Sequence, residues 1–501
     1  MSEAYHFYWG DLHNHCNLTY GHGDPVAAFE AAREHLDFAT VTPHADWPDI
    51  PAFDDPGMAW VIGYHKEAFG RIREHWGDYL ALVRRFDEAG KFVAFVSYET
   101  HNMKSGDHVV LYRDLEASLV CGDSISALRE RLLGQAAVVT PHHIGYIPGF
   151  RGLNWDDFRE GALTPFVEMV SRHGAAETGE GDFPYLHDMG PRTEAGCVAE
   201  GLRRGYKFGL MGSTDQHAGY PGSYGDGRVC VLAPELSREA IWEALKARRM
   251  YAATGDKILV DFTLNGALIG SEIEAGRREL RFRVEGEDLI DFIEVIKNGR
   301  TLARVNGDFG FDVPQAEVVR AKIRVEVGWS RRREPVRWDV ELGLTGGRIL
   351  AATPCFRGAP YTSPREDGGE TFKTLVNRVL ERSERTVRAE LYTVKNPNTV
   401  TPTTQAIILD VEMPQSASLL CKLNGWSRRA TLASLLEGGQ AHFLDGWLSE
   451  AVQIHRAIPE SAFVLDASFS DERGGDGTDY YYLRVRQRNH QWAWTTPVWV
   501  H

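Results

Sequence analysis

The sequence predicts an α/β first half followed by a mostly antiparallel β-sandwich. Three observations support this fold class. Short apolar runs alternate with amphipathic helical stretches in the first half, polar side chains directly follow several of those runs, and β-branched segments dominate the second half. Because 501 residues exceed what one hydrophobic core usually supports, we expect two domains, residues 1–256 and 257–501.

Local signals predict the elements of the first half. Asp24 and Pro25 indicate a helix N-terminus, and the helix should run to about His35. Buried strands are predicted at 38–41, 92–97, 136–140, 166–170 and 208–211, and a helix from Ser237 to about Arg249 closes this half.

Polar groups at the carboxyl ends of parallel strands are typical of a TIM-like barrel. An open doubly wound sheet places its crevice there too, so both layouts stay open.

The second half predicts antiparallel strands. Segments that alternate or are rich in β-branched residues lie at 258–264, 280–284, 292–296, 336–342, 406–411, 480–485 and 492–494. Asn-Gly pairs at 265–266, 298–299, 306–307 and 424–425 supply hairpin turns. We also expect an inserted helix from Glu370 to Arg382 and a loop over residues 356–369.

Composition disfavours several classes of protein. A formal net charge of −15 and a pI near 5.7 argue against a nucleic-acid or anionic-membrane partner. The six cysteines form no CxxC pair, which favours a reducing compartment, and the N-terminus has no features of an export signal. No apolar run reaches the roughly 18 residues of a membrane span. We therefore expect a cytoplasmic protein that acts on a small molecule; its oligomeric state does not follow from the sequence.

Four motifs place metal-binding side chains after predicted strands, and 15 of the 19 histidines precede residue 221. The motifs are Asp11 to His15, Thr42 to Asp46, Pro141 to His143 and Ser213 to His217. His13 and His15 lie two residues apart and therefore share one face of a strand. Asp11 lies on the same face and could bind a metal or orient an imidazole. Imidazole and carboxylate together are the ligand set of a borderline divalent metal, so the repetition predicts a metal site.

The remaining candidates differ in strength. Asp215 and His217 form a DxH motif at the end of a predicted strand. Glu99 directly follows an apolar run, and its carboxylate could bridge two metals. His108 competes with His101 and is favoured because it opens the buried run 109–112.

Neighbours on a strand face opposite ways, so His142 is favoured over His143. His22 is left open. Cys16 is interpreted as a wall residue rather than a nucleophile, because the adjacent imidazole is better explained as a ligand.

These motifs, in this order, resemble the PHP superfamily (polymerase and histidinol phosphatase), and in particular a large bacterial branch known mainly as a domain of unknown function. The matching segments are Gly10 to Cys16, Thr42-Pro43-His44, Ser97-Tyr98-Glu99 with His108, Pro141-His142-His143, His173 to Glu177, Gly212 to His217, 245–256 and 493–500. The resemblance covers both predicted domains. Two departures stand out: Cys16 replaces a threonine, and Pro43 replaces an acid for which Asp46 is a candidate substitute.

The resemblance implies a distorted seven-stranded barrel that holds two or three Zn, Mn or Fe ions. Carried over by position, the metal ligands are His13, His15, His44, Glu99, His108, His142, Asp215 and His217. The activity it implies is hydrolysis of a phosphomonoester or phosphodiester by a metal-activated water.

The leading hypothesis is therefore a metal-dependent phosphoesterase with an anionic substrate, whose charge the bound metals would match. Asp215 or His217 could move a proton, and His173 and Glu177 could contact substrate or protonate the leaving group. The phosphate contacts are predicted to come from Arg151, Arg172 and His143. Two alternatives stay open: cleavage of a non-phosphate bond in a sugar-derived or amide substrate, and a non-catalytic metal-binding protein.

Overall fold

The structure is a computed structural model that describes residues 5–51, 56–183, 192–308, 310–360, 373–396, 402–472 and 477–501. It is a mixed α/β protein, rich in strands and poor in helices. The first half contains β1 (His6–Asp11), α1 (Pro25–His35), β2 (Phe38–Ala39), β3 (His44–Asp46), α2 (Pro56–Phe86), β4 (Val93–Ala94), β5 (Val96–Thr100), β6 (His108–Tyr112), α3 (Ile125–Leu132), β7 (Ala137–Pro141), β8 (Phe166–Ser171), β9 (Gly174–Ala175), a 3-10 turn (Glu194–Gly196), α4 (Val198–Arg203), β10 (Gly209–Gly212), β11 (Arg228–Ala233), α5 (Arg238–Lys246) and β12 (Met250–Ala253).

The second half is nearly all strand. It contains β13 (Leu259–Leu264), β14 (Ala267–Leu268), β15 (Glu272–Ile273), β16 (Arg277–Glu285), β17 (Ile290–Lys297), β18 (Arg300–Asn306), β19 (Val318–Gly328), β20 (Val336–Leu344), β21 (Arg348–Cys355), β22 (Arg378–Arg382), β23 (Thr386–Thr393), β24 (Gln405–Pro414), β25 (Ser418–Leu423), β26 (Trp426–Thr431), α6 (Leu432–Glu437), β27 (Gln440–Phe443), β28 (Ala451–Ile454), β29 (Ile458–Pro459), α7 (Glu460–Phe463), β30 (Val464–Glu472), β31 (Asp479–Gln487), β32 (Trp492–Thr495) and β33 (Val498–Val500).

The strands predicted in the first half are present, but they pair in both directions. β1, β2 and β4 run parallel in one sheet, β3 is parallel to β5, and β8 is parallel to β10. By contrast, β5, β6 and β7 pair antiparallel, as do β1 and β11. The helix predicted to begin at Asp24 is confirmed, because the Asp24 carboxylate accepts the backbone N–H groups of Val26 and Ala27. Closure into a seven-stranded barrel stays a prediction.

The longest helix, α2, spans 31 residues and departs from helical geometry at His75. It packs on β3 and β4. Within the described ranges, no helix is both long enough and apolar enough to cross a membrane.

One long sheet joins the two halves of the chain. Its strand order is β15-β33-β31-β32-β12-β11-β1-β2-β4, so the C-terminal strands extend the sheet that begins with β1. Tyr251 of β12 pairs with Thr495 of β32, and one hydrophobic core contains residues from both ends of the chain, such as Trp9, Val260 and Val500. The predicted domain boundary near residue 256 therefore lies just after β12, which pairs with β11 of the first half and β32 of the second. The boundary itself stays a prediction.

Two antiparallel sheets share a second core in the second half of the chain. Their strand orders are β21-β24-β19-β28-β27 and β22-β23-β20-β25-β26, and buried residues such as Ile323, Trp338 and Leu409 form the core between them. The predicted helix from Glu370 to Arg382 is wrong in its described part. Arg378–Arg382 is strand β22, which pairs with β23, and this cross-strand pairing outweighs the local helical pattern. Of the predicted loop 356–369, residues 361–369 lie outside the described residues.

The close approach of backbones at the end of β10 gives the first prediction. A Cβ atom at Gly212 would lie 2.3 Å from the Arg228 carbonyl oxygen and 3.0 Å from that of Ala253. Gly212→Ala should therefore destabilise the protein by about 1–3 kcal/mol, because backbone atoms cannot move aside as a side chain can. Gly63→Ala is the matched control. Nothing lies within 4 Å of its Cβ position in α2, so it should stabilise by about 0.5–1 kcal/mol. Thermal and urea unfolding measure both, and an unchanged Gly212→Ala midpoint would contradict the packing described here.

Candidate metal centre

The Asp11 carboxylate anchors the loop that carries the first two histidines. Its Oδ1 accepts the backbone N–H groups of His13 and Thr214, each at 3.1 Å, and its Oδ2 accepts the Thr214 hydroxyl at 2.6 Å and the Gly222 N–H at 2.8 Å. Burial raises the pKa of Asp11 to about 6, even though these hydrogen bonds oppose the shift. Asp11 therefore fixes the segments after β1 and β10 side by side.

Backbone hydrogen bonds complete the pairing of these two segments. The Asp215 N–H donates to the His13 carbonyl at 2.8 Å, and the His15 N–H donates to the Gln216 carbonyl at 2.7 Å. The Asn14 side chain donates to the Thr40 carbonyl at 2.6 Å and so attaches the loop to the residue after β2. This pairing places the HxH and DxH motifs, 200 residues apart in sequence, in direct contact.

Outer partners orient the imidazoles so that their Nε2 atoms face inward. His15 Nδ1 donates to the Thr42 carbonyl at 2.6 Å, and His13 Nδ1 donates to Glu168 Oε2 at 2.7 Å. The two Nε2 atoms then lie 3.1 Å apart and face the same space. A carboxylate or carbonyl behind the ring is the usual device that orients a metal-binding histidine.

The Glu99 carboxylate lies between two sets of imidazoles. Its Oε2 is 3.1 Å from His44 Nε2 and 3.4 Å from His15 Nε2. Its Oε1 is 3.0 Å from His142 Nε2 and 3.1 Å from His101 Nδ1. Each oxygen therefore belongs to a different group of ring nitrogens, as a carboxylate shared between two cations requires.

The Asp215 carboxylate is the second such centre. Oδ1 lies 3.1 Å from His15 Nε2 and 3.5 Å from His13 Nε2. Oδ2 accepts from His173 Nε2 at 2.6 Å and from His143 Nε2 at 2.8 Å. Asp215 and His143 both have positive φ, 49° and 54°, a conformation that turns their side chains into the centre.

Several buried donors and acceptors in this centre are unsatisfied. Across the described part of the chain, Glu99 Oε2 and both ring nitrogens of His142 lack a hydrogen-bond partner. Overlapping sets of ligand atoms lie within 4.8 Å of one another, including His15-His44-His217, His13-His142-Glu168, His13-His15-Asp215, His44-Glu99-His101 and His142-His143-Asp215. Buried polar atoms normally have partners, so unpaired oxygen and nitrogen lone pairs at this spacing fit bound cations.

The electrostatics give charged carboxylates and two classes of imidazole. Burial opposes ionisation of Glu99, but the imidazoles of His101, His44 and His142 hold its pKa well below the usual range. Burial lowers the pKa of His44 well below its usual value and that of His142 to about 4. Burial also opposes protonation of His13 and His143, but the carboxylates beside them raise the pKa of His13 well above its usual value and that of His143 to about 9. Metals bind the deprotonated carboxylate and the neutral imidazole, so the states of Glu99, His44 and His142 suit metal binding, whereas His13 would release its proton when a metal binds.

His108 and Asp46 each lie beside an arginine. His108 Nδ1 donates to the Gly106 carbonyl, and its Nε2 lies 3.5 Å from the Arg129 guanidinium. Asp46, the candidate substitute for the missing acid, faces Arg73 at 3.6 Å.

Glu177 is directed at the C-terminal strands. Its carboxylate accepts the Tyr482 hydroxyl at 2.7 Å and the Trp494 indole N–H at 2.9 Å, and Arg484 lies 3.1 Å away. The contacts of its carboxylate join the two halves of the chain, and a contact of Glu177 with substrate stays a prediction.

The structure brings to the two carboxylates a residue that the sequence did not favour, His101, and two that it predicted in other roles, His173 and His143. His101 takes the place beside Glu99 expected for His108, and His173 and His143 hold Asp215. Asp107 is buried; its Oδ2 accepts Arg151 Nε at 2.7 Å and lies 3.4 Å from His143 Nδ1. Only its position before a strand-opening histidine could have signalled Asp107.

The other candidates lie at the edge of the centre. His217 is the most exposed of the imidazoles in contact with the two carboxylates, at 13%. The Arg172 N–H donates to the Thr214 carbonyl, and the His22 N–H donates to the His217 carbonyl. Burial raises the pKa of the Cys16 thiol to about 12, which agrees with its interpretation as a wall residue.

No protein-family model matches the chain. Part of it is similar to uncharacterised proteins of Chlamydia. A Chlamydia pneumoniae protein is 30% identical over 184 residues, which covers 32% of this chain and 29% of the relative. A Chlamydia muridarum (strain MoPn / Nigg) protein is 28% identical over 186 residues, which covers 32% of this chain and 30% of the relative. The chain thus spans less than a third of the length of the curated relatives it matches.

Among solved structures, the chain is similar to a two-domain protein from Bacteroides vulgatus ATCC 8482 that contains a predicted PHP-like metal-dependent phosphoesterase. The two chains are 15% identical, with a TM-score of 0.31. The match covers 58% of this chain and 79% of that chain, so the likeness is distant.

The positions of the Glu99 and Asp215 carboxylates give a prediction for the metal content of the protein. Glu99→Gln and Asp215→Asn keep the size of the side chain but remove its charge, so each variant should hold less metal per chain than the wild type. Elemental analysis of protein purified without chelator measures this. Glu177→Gln is the matched control and should keep the wild-type content, because its carboxylate faces the C-terminal strands. Full metal content in both Glu99→Gln and Asp215→Asn would contradict the assignment.

The position of His101, rather than His108, beside Glu99 gives a second prediction for metal binding. His101→Gln should lower metal affinity, because it removes a nitrogen 3.1 Å from Glu99. His108→Gln should leave metal affinity within about twofold of wild type, because the amide can still donate to the Gly106 carbonyl. Competition with a fluorescent chelator measures both affinities. A larger loss in His108→Gln than in His101→Gln would restore the assignment made from sequence.

Proposed function

We propose that the chain is a metal-dependent hydrolase that cleaves phosphate esters. The observation that carries the proposal is the burial of two ionised carboxylates, Glu99 and Asp215, among imidazoles whose nitrogens face inward without sufficient partners. A structural histidine cluster would have its ring nitrogens paired. The order of the sequence motifs, which resembles the PHP superfamily, agrees with this proposal.

Two or three divalent ions would be held by overlapping sets of these residues. One set is His13, His15, Glu99 and Asp215; a second is His44, Glu99 and His101; a third is His15, His44 and His217. When bound, such ions act as Lewis acids and lower the pKa of a coordinated water toward neutrality. The metals we propose are Zn, Mn or Fe, which suit mixed imidazole and carboxylate ligands.

His143 and His173 supply the protons closest to the centre. Both donate an Nε2–H to Asp215 Oδ2, and the other nitrogen of His173 lies 3.0 Å from the Tyr146 hydroxyl. Asp215 thereby keeps both rings in fixed orientation beside the proposed reaction site. An oriented imidazolium can donate its proton to the alkoxide that leaves when a phosphate ester is cleaved.

Arg151 supplies positive charge at the edge of the centre. Its guanidinium is bound to Asp107, lies 2.6 Å from His101 Nδ1 and stacks over Trp47 at 5.2 Å, so its position is fixed. The side chain is 16% exposed, on a centre whose carboxylates are each 2% exposed. An arginine held in this way can stabilise charge on phosphoryl oxygens, which fits a small anionic substrate.

Hydrolysis of bis(p-nitrophenyl) phosphate and p-nitrophenyl phosphate tests the proposal. We expect turnover that chelator abolishes and that added Mn²⁺ or Zn²⁺ restores, and we expect Asp215→Asn to lose more than about 100-fold in kcat. No turnover on either ester by protein shown to contain its metals would contradict phosphoesterase activity on such esters.

p-Nitrophenyl acetate is the matched control substrate, since it has the same leaving group without phosphorus. Inorganic phosphate should inhibit the phosphoesterase reaction competitively, because it presents the same oxygens to the same cations. Faster cleavage of the acetate, insensitive to phosphate, would instead favour the alternative of a non-phosphate bond.

A further inference from the structure

A cavity of about 700 Å³ lies between the two halves of the chain, and the metal centre does not use it. One wall is the C-terminal end of α1 with residues 33–37, together with Lys91. The opposite wall is β21, with residues 349–354, and the turn after β22, with residues 382–384; Lys257 also lines the cavity. A volume of this size is within the range of small-molecule sites.

The basic groups that line the cavity are of two kinds. Arg33 and Lys91 are both paired with Glu88, at 3.0 Å and 2.6 Å. Lys257 and Arg382 differ, because the half-buried Lys257 side chain and the exposed Arg382 side chain form no hydrogen bond or ion pair within 4.0 Å with any described residue. The cavity thus contains two cations whose charge no described carboxylate neutralises directly.

The acidic groups that line the cavity form no ion pair with Lys257 or Arg382. Asp37 accepts the Trp9 N–H at 2.7 Å, and Glu34 accepts the Val379 N–H at 3.2 Å. The third acid, Glu384, is exposed at the turn after β22. Two of the three acids are therefore committed to backbone N–H groups.

The environment of Lys257 is unfavourable for an unpaired cation. Burial lowers the pKa of Lys257; Asp37 opposes the shift, whereas Arg228 and Arg382 reinforce it. Both side chains line this one cavity, so the two unpaired cations face a common space. Two like charges in a partly enclosed site are stabilised when an anion binds between them.

We propose that this cavity is a binding site for a phosphate-bearing small molecule, with the phosphate between Lys257 and Arg382. A phosphate monoester carries close to two negative charges at neutral pH, which matches two cations better than a carboxylate does. Leu36 and Leu350 line the same cavity and supply apolar surface for the rest of the ligand. Lys257 follows β12 and Arg382 ends β22, so the bound molecule joins segments of two different sheets.

Labelling of the full-length, metal-containing protein with pyridoxal 5′-phosphate tests this site. A lysine amine condenses with the aldehyde to form an imine and releases water, and borohydride then reduces the imine so that peptide mapping can locate it. We expect Lys257 to be labelled about tenfold faster than Lys91, because Lys91 is held in an ion pair in the same cavity. Inorganic phosphate should slow labelling of Lys257, and acetate at equal ionic strength should not.

Matched variants separate recognition of the phosphate from simple reactivity of the lysine. Arg382→Gln should slow labelling of Lys257 by pyridoxal phosphate severalfold and leave labelling by pyridoxal, which lacks the phosphate, unchanged. Arg33→Gln removes a cation that Glu88 already neutralises and should change neither rate.

The proposal is overturned if Lys257 reacts no faster than Lys91, if acetate protects as well as phosphate, or if Arg382→Gln has no effect. None of these outcomes depends on phosphoesterase activity, so this test and the activity assay fail independently.

Discussion

The burial of Glu99 and Asp215 among imidazoles is the constraint on which the rest of the first half depends. Carboxylates that are 2% exposed lose their hydration and must recover it from fixed donors or cations. The protein brings ring nitrogens from loops after several strands to them, and it orients those rings from behind with Thr42, Glu168 and Thr19. The surrounding fold thus holds carboxylates and imidazoles close together, an arrangement that these polar groups would not adopt by themselves.

That constraint explains the buried polar groups around the centre. Asp11 is fully buried and accepts four hydrogen bonds, although none of its donors belongs to an imidazole. Its role is to hold the segments after β1 and β10 in register. Asp107 likewise binds the side chains of Arg151 and His101 and fixes their positions. Both carboxylates therefore hold backbone segments or side chains in place around the centre.

Local patterns predicted the first half well because strand ends are local features. The apolar runs, the helix N-cap at Asp24 and the motifs that follow the strands all depend on nearby residues, and the structure places these motifs together. The choice between His101 and His108 lies beyond local pattern for a physical reason. The pattern puts His108 at the start of a buried strand, but it does not reveal that His101 lies 3.1 Å from Glu99 or that Arg129 from α3 faces the His108 ring. Which histidine lies beside the carboxylate depends on such non-local contacts.

Glu177 shows the same limit over a longer distance. It lies four residues after His173, which contacts Asp215, so proximity in sequence suggested a shared role. Its partners, Tyr482 and Trp494, are about 300 residues away and reach it only because the C-terminal strands join the sheet of β12. Residues of β8 and β9, on either side of His173, share a hydrophobic core with Trp492, Trp494 and Trp499 near the end of the chain. The second half therefore packs against the hairpin that contains His173, and this packing has no counterpart in any local motif.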